Sequence, residues 1–285
     1  GVGLRIGAMA PYEPHEDDTF MKVAAHIFLA HGKAVSTIRR NVQDAKIGIA
    51  PTGDMWIPEN NSPEAEEKAY EESFALRPFE YAMGNAFWSD PIYLGHFTEG
   101  AKELFGDSLP DFTEQEWKEI SQPLDFAAFN NYQGAGKYYL AKDEYPTNAY
   151  QGSGKTALGW SITPKSLYYG CKFIYRRYQL PILITENGMA GMDWISVDGK
   201  VHDPQRIDYT TRYLRELHHA IEEGIPVIGY QHWSVMDNME WNSGYDIRFG
   251  LIYVDYPTQK RVLKDSAYWY GNVIATNGEA IFEEE

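Results

Sequence analysis

The stretch that most constrains this chain is Leu180-Pro181-Ile182-Leu183-Ile184, followed directly by Thr185-Glu186-Asn187-Gly188. A short apolar, β-branched run bounded by turn residues reads as a strand buried on both faces. Such strands belong to parallel sheets with helical crossovers, where chemistry is done at the carboxyl ends. A carboxylate placed straight after the run is poorly solvated and needs a reason to be there. Asn187-Gly188 is expected to form a sharp turn that leaves Glu186 at the strand end. An isolated Thr-Glu-Asn-Gly is equally well a helix cap or a water-facing acid, so the neighbouring elements must decide.

Strand and helix signals alternate along the chain. Residues 1–16 read as a loop punctuated by Gly1, Gly3, Gly7, Pro11 and Pro14. Asp17 or Asp18 then starts a helix to about Asn41, with Phe20, Val23, Ala24, Ile27, Phe28, His31, Val35 and Ile38 at helical spacing. His26 and His31 are read as packing histidines. Residues 46–50 form a short strand, and residues 62–84 a helix capped by Ser62 with Pro63 first, which Pro78 should kink or end. A loop with Trp88, Pro91 and Gly95 leads to a helix near 113–121, then to a strand over 124–130 that runs into Asn131-Tyr132. Residues 133–162 are a long excursion. Thr163-Pro164 and Asp203-Pro204 each open a helix with a cap followed by proline. Ile225–Gln231 is a fourth strand, whose loop carries Trp233, Asp237, Glu240, Trp241 and Tyr245 before an apolar stretch at 249–254. A last helix covers about 265–275.

Alternation of this kind implies parallel strands. Only four strands are legible, although 285 residues exceed the roughly 250 of a complete eight-stranded barrel. Either the chain is an open four-stranded sheet with large loops, or it is half of a barrel. A net charge of −16 argues against nucleic acid and anionic membrane surfaces as partners. One cysteine, Cys171, excludes an internal disulfide and a cysteine metal cluster, and no metal or cofactor is called for. No stretch is apolar enough to span a bilayer and no secretory segment opens the chain, so a cytoplasmic location is expected. Aromatic residues make up 15% of the chain, a share suited to stacking on sugar faces as well as to an aromatic core.

Three consecutive strand ends deliver polar and aromatic groups: Asn130 and Tyr132, then Glu186, then Trp233, Glu240 and Trp241. A site for sugars needs a carboxylate at the anomeric carbon, acceptors for hydroxyls and a flat aromatic surface. Ile184-Thr185-Glu186-Asn187-Gly188 resembles the nucleophile motif of glycoside hydrolase family 1, the β-glucosidases and their relatives. The stretch from Gly229 to Trp241 resembles that family's last-strand signature, continued by Gly244-Tyr245, Arg248-Phe249-Gly250-Leu251, Tyr253-Val254-Asp255 and Lys264-Asp265-Ser266-Ala267. Asp125-Phe126 with Asn130-Asn131-Tyr132 is similar to its sixth strand, with Asn131 departing from the usual tyrosine. Ala30–Val35 resembles the helix after its fourth strand.

The resemblance implies a (β/α)8 TIM barrel, with residues 1–285 supplying roughly strands 5–8 and helices 4–8 of one domain. It implies a retaining mechanism with Glu186 as nucleophile, oriented by the Tyr132 phenol with Asn130 beside it. Trp233 is implied as the platform under the sugar, Glu240 and Trp241 as hydroxyl partners, Phe249 as a packing wall, and Trp160 as a lining residue on the leaving-group side. Glu240-Trp241, without a nearby lysine, disfavours the family's 6-phosphoglycoside-cleaving members. Non-phosphorylated β-glucosides or related glycosides such as cello-oligosaccharides are the expected substrates. The family's acid/base lies in an Asn-Glu-Pro motif after the fourth strand; Glu13-Pro14 lacks the Asn and the strand and is rejected for that role. The expectation is therefore a carboxyl-terminal half complemented by an amino-terminal half, weak or inactive alone. A non-catalytic carbohydrate-binding half-barrel and a 6-phospho-β-glycosidase are the alternatives.

Overall fold

The computed structural model describes residues 1–78, 80–135 and 154–283. Its organising layer is a parallel sheet of β2 (Ala127–Asn130), β4 (Ile182–Asn187) and β5 (Val227–His232), in the order β2-β4-β5. Helices α6 (Lys165–Tyr178) and α7 (Pro204–Glu222) are the crossovers between them. The apolar run opened by Leu180 does form the central strand, with Ile182 and Ile184 fully buried. Its register sets Asn130 of β2 opposite Glu186 and His232 of β5 opposite Asn187, so all three strand ends finish at one level.

Residues 46–52 run beside β2 as a fourth, irregular member. Asp125, Ala128 and Asn130 donate backbone N–H groups to the carbonyls of Ile47, Ile49 and Pro51 at 2.8, 3.1 and 3.3 Å. The expected strand at 46–50 is not a regular ladder for two reasons. The Ile47 N–H is taken by the Asp125 carboxylate at 3.0 Å, and Pro51 has no N–H to give. A Cβ on Gly48 would meet the Phe126 ring at 2.3 Å, so glycine there permits the strands to approach.

Two apolar clusters cover the sheet and its flank. In the first, Phe129, Ile182 and Ile184 pack against Leu167, Cys171 and Phe173 of α6 and against Tyr209, Tyr213 and Leu217 of α7. The second centres on α1 (Asp17–Asn41), α3 (Asn85–Tyr93) and α5 (Glu114–Ile120) and contains Phe20, Phe28, Tyr81, Phe87 and Ile120. Full burial of each such side chain contributes about 1.5–3 kcal/mol. Buried Asp90 of α3 accepts two hydrogen bonds from Arg177 at 2.8 and 2.6 Å and one from Tyr178 at 2.9 Å, which pins α3 to α6.

Several expectations are corrected. The helix expected over 62–84 is α2, Pro63–Phe74, capped by Ser62 Oγ accepting from the Ala65 N–H at 3.1 Å; it ends ahead of Pro78. Trp88 and Pro91, read as loop, lie within α3, with Pro91 in its last turn. The short helix α4 (Ala101–Phe105), the short parallel pair β1 (Met55–Trp56) with β3 (Gly134–Ala135), and the hairpin β6 (Ile252–Asp255) with β7 (Lys260–Leu263) carried no strong sequence signal. On α1 the buried stripe is Phe20, Met21, Ala24, Phe28, Gly32 and Val35, whereas Ile27, His26 and Ile38 are exposed. Asp203 stands at the N-cap of α7 with Pro204 first, as expected, but its carboxylate binds Arg206 and Ser266 in place of a first-turn N–H. The last helix, α8, spans Asp265–Ala275. Most of the excursion at 133–162, together with the end of the acidic tail, lies outside the described residues.

Candidate active site

The site is built from the carboxyl ends of β2, β4 and β5. Glu186 is the penultimate residue of β4 and half-buried. Tyr132, two residues past β2, donates its hydroxyl to Glu186 Oε2 at 2.7 Å. Burial, first, and then the hydrogen bond and negative charge of Glu186 raise the Tyr132 pKa far above the ordinary phenol value, so it stays a donor. Asn130 Oδ1 accepts from the Thr185 hydroxyl at 2.7 Å, beside the carboxylate.

The backbone holding this pair is fixed from behind by α7. The Tyr209 and Tyr213 hydroxyls both donate to the Tyr132 carbonyl at 2.9 Å. Asn187, fully buried, donates to the Asn131 carbonyl at 2.8 Å and accepts from the Tyr230 hydroxyl at 2.8 Å. Sequence reasoning missed these four positioning residues. The available signal was two tyrosines four apart on one helix face, whose hydroxyls must find partners once buried. Asn131, where the family motif usually has tyrosine, turns inward to α6. Its side chain is buried and accepts from the Ser166 hydroxyl of α6 at 2.8 Å.

Gly188 owes its place to packing and not to turn geometry. Asn187 is still strand, and Gly188 does not adopt a positive φ. A Cβ there would fall 2.0 Å from the Trp233 carbonyl oxygen, so any side chain would displace the segment that carries Trp233.

Trp233 follows β5 directly, and the Trp233–Ser234 peptide is cis. Its N–H reaches the Asn187 carbonyl at 2.9 Å, tying the two strand ends together. Phe249 is buried and packs with Tyr132, Trp160 and Trp233; ring centroids are 5.1 Å apart for Tyr132–Trp160 and 5.8 Å for Tyr132–Phe249. Glu240, half-buried, has its pKa raised by burial first and by the Glu186 charge, against a hydrogen bond from Trp233 that lowers it. The hydrogen bond from Trp233 ties Glu240 to the cluster of Phe249, Tyr132 and Trp160. Trp241 is 67% exposed and makes no ring contact with this cluster among the described residues. Its backbone has a φ of 42°, and the next residue, Asn242, is bonded to the Ala8 carbonyl and the Tyr12 hydroxyl, each at 2.6 Å. Tyr132, Glu186, Asn130, Trp160, Phe249, Trp233 and Glu240 are thus brought together, while Trp241 stands at the rim.

Beneath the loops lies a balanced group of buried charges that the sequence did not reveal. Asp193, Asp203 and Asp237 face Arg206, Arg248 and Lys264, three of each sign. Pairing inside a poorly polarisable interior is the condition for burying such groups at all. His232 sits close by with both ring nitrogens buried, and burial, then the Arg206 and Lys264 charges, push its pKa down to about 3.

Residues 2–279 match the model of glycosyl hydrolase family 1. The chain is 40% identical to β-glucosidase A of Thermotoga maritima, over 90% of this chain and 56% of that protein. It is 38% identical to β-glucosidase A of Acetivibrio thermocellus, over 91% and 58%. Among solved structures, the family 1 β-glucosidase of Thermotoga maritima superposes with a TM-score of 0.82 at 35% identity, covering 99% of this chain and 62% of that one. The same enzyme in complex with deoxynojirimycin gives 0.81. The chain therefore spans a little over half the length of the relatives it matches, and its fold is a partial (β/α)8 barrel.

Proposed function

The chain belongs to glycosyl hydrolase family 1, and from that premise we propose that it carries the nucleophile half of a retaining β-glycosidase acting on non-phosphorylated β-glucosides, such as cello-oligosaccharides. The observation that carries the reading is the 2.7 Å hydrogen bond from Tyr132 to Glu186 at the carboxyl end of adjacent parallel strands. A phenol that remains protonated holds one carboxylate oxygen and fixes the plane of the group. A carboxylate oxygen then attacks the anomeric carbon as the glycosidic C–O bond breaks, giving a glycosyl-enzyme on Glu186 that water later hydrolyses. Trp233 offers an aromatic face to the sugar, and Glu240 offers charged acceptors for its hydroxyls, which form stronger hydrogen bonds than neutral ones. Trp160 lies on the leaving-group side and Trp241 donates its indole N–H from the rim. The acid at 240, half-buried and already facing a second carboxylate, would repel a phosphate dianion; this favours the unphosphorylated substrate.

The leaving alcohol needs a proton, and a retaining pair needs its second carboxyl group roughly 5–5.5 Å from the nucleophile. We assign that group to the part of the barrel that residues 1–285 do not span. The edges formed by residues 46–52 and by β5, where Ile228 is 57% exposed, are the surfaces to which the remaining parallel strands would pair. The chain without them is expected to turn over little.

The test is a 2-deoxy-2-fluoro aryl β-glucoside with a good leaving group, which needs no proton donor, applied to the full-length protein and followed by peptide mapping. One equivalent of label on Glu186 supports the reading. Label on another residue removes Glu186 from the role, and sugar binding without label supports a carbohydrate-binding module instead.

A further inference from the structure

Lys264 stands outside the site yet touches both loops that form it. Its side chain is fully buried, and its ammonium donates to Asp193 Oδ2 at 2.5 Å and to Asp237 Oδ1 at 2.8 Å. Asp193 lies in the loop that leaves Glu186, seven residues on. Asp237 lies in the loop between Trp233 and Glu240, three residues before the latter. Each acid is also held from another side. Arg206 of α7 reaches Asp193 at 2.8 Å, and Arg248 reaches Asp237 at 2.5 Å while its backbone pairs with Gly191 at 2.9 Å. Asp237 further accepts the Gly250 N–H at 3.0 Å, which fixes the segment carrying Phe249. No other cation among the described residues joins Asp193 to Asp237.

We propose that Lys264 is a positioning residue: a buried strut that sets the separation between the Glu186 loop and the Trp233–Glu240 loop, and so the fit of the sugar hydroxyls to Glu240 while C1 lies against Glu186. The inference rests on the functional reading above and adds to it a residue whose substrate effect is indirect. A point charge on a flexible stem suits the task, because it can donate to two carboxylates from different loops. Displacement of Glu240 relative to Glu186 by even an ångström is costly, since catalysis depends on simultaneous contacts to hydroxyls and anomeric carbon.

Lys264→Met alone leaves Asp193 and Asp237 under-compensated in the interior and risks misfolding. The informative protein is Lys264→Met with Asp193→Asn, made in the full-length polypeptide. It removes one charge of each sign and leaves the Arg206–Asp203 and Arg248–Asp237 pairs intact. A cooperative unfolding transition establishes that it folds. Its kcat/KM on an aryl β-glucoside is expected to fall about 10- to 100-fold. On substrates deoxygenated at the hydroxyls that Glu240→Gln shows to matter, the fall should shrink to about 3-fold or less, because the misplaced contact no longer exists there. Wild-type kcat/KM in the folded variant overturns the assignment. So does an equal loss on parent and deoxygenated substrates, which marks a general structural defect. A wild-type protein inert to every β-glycoside overturns the functional reading itself, and the role of Lys264 with it.

Discussion

Replacing Tyr132 with Phe removes one hydroxyl and leaves nearly everything else in place. The ring keeps its contacts with Trp160 at 5.1 Å and Phe249 at 5.8 Å, and the backbone carbonyl keeps its two tyrosine donors. The lost interaction is the 2.7 Å hydrogen bond to the Glu186 carboxylate. Hydrogen bonds to charged groups contribute about 1.5–3 kcal/mol. If that interaction serves to orient the attacking oxygen, about 1.4 kcal/mol corresponds to each tenfold change in rate. Tyr132→Phe should therefore slow formation of the glycosyl-enzyme by about 10- to 100-fold. The second-order rate of inactivation of the full-length protein by the 2-fluoro aryl glucoside measures that step alone, because its good leaving group needs no proton donor. Intact mass gives the labelled fraction against time, and a thermal melt checks that the fold persists. An inactivation rate within about 2-fold of wild type, in a folded variant, would refute the idea that the phenol orients the nucleophile.

Gly188→Ala should destabilise the protein or reduce activity sharply, since the new Cβ would lie 2.0 Å from the Trp233 carbonyl; a thermal melt and kcat/KM indistinguishable from wild type would show that the backbone shifts without consequence. Glu240→Gln should raise KM and lower kcat/KM by about 10- to 100-fold on glucosides through loss of a charged acceptor, with little effect on substrates lacking the hydroxyls it binds. His232 makes stability depend on acid. The unfolded chain takes up a proton as pH falls through the ordinary histidine range, whereas the folded state holds the ring neutral down to about 3. Stability is therefore fully present above that range and declines as pH falls toward 3, by at most about 1.4 kcal/mol per pH unit. His232→Val should flatten that part of the denaturation-midpoint curve, and an unchanged slope would show that other groups govern the acid limb.

The strand run at 182–187 was legible because an apolar β-branched segment ending in a carboxylate permits few structures, and the starts of α2 and α7 because a polar N-cap residue followed by proline marks local chain geometry. Glu186, Tyr132, Trp233 and Glu240 could be singled out together because each follows a strand, and parallel strands end on one side. Local signals placed Trp88 and Pro91 in a loop because a proline inside a helix is disfavoured, whereas α3 holds Pro91 in its last turn. Residues 46–50 were recognised as a strand but not as an irregular one, because the Ile47 N–H is taken by the Asp125 side chain through a tertiary contact. The tyrosines behind Tyr132, the demand on Gly188 and the Lys264 strut likewise join residues that are tens of positions apart. Periodicity and turn chemistry are local, so the residues at the strand ends could be named from the amino-acid order alone. What holds them in register came from the fold, because burial of charges and hydroxyls assigns their partners across distant segments.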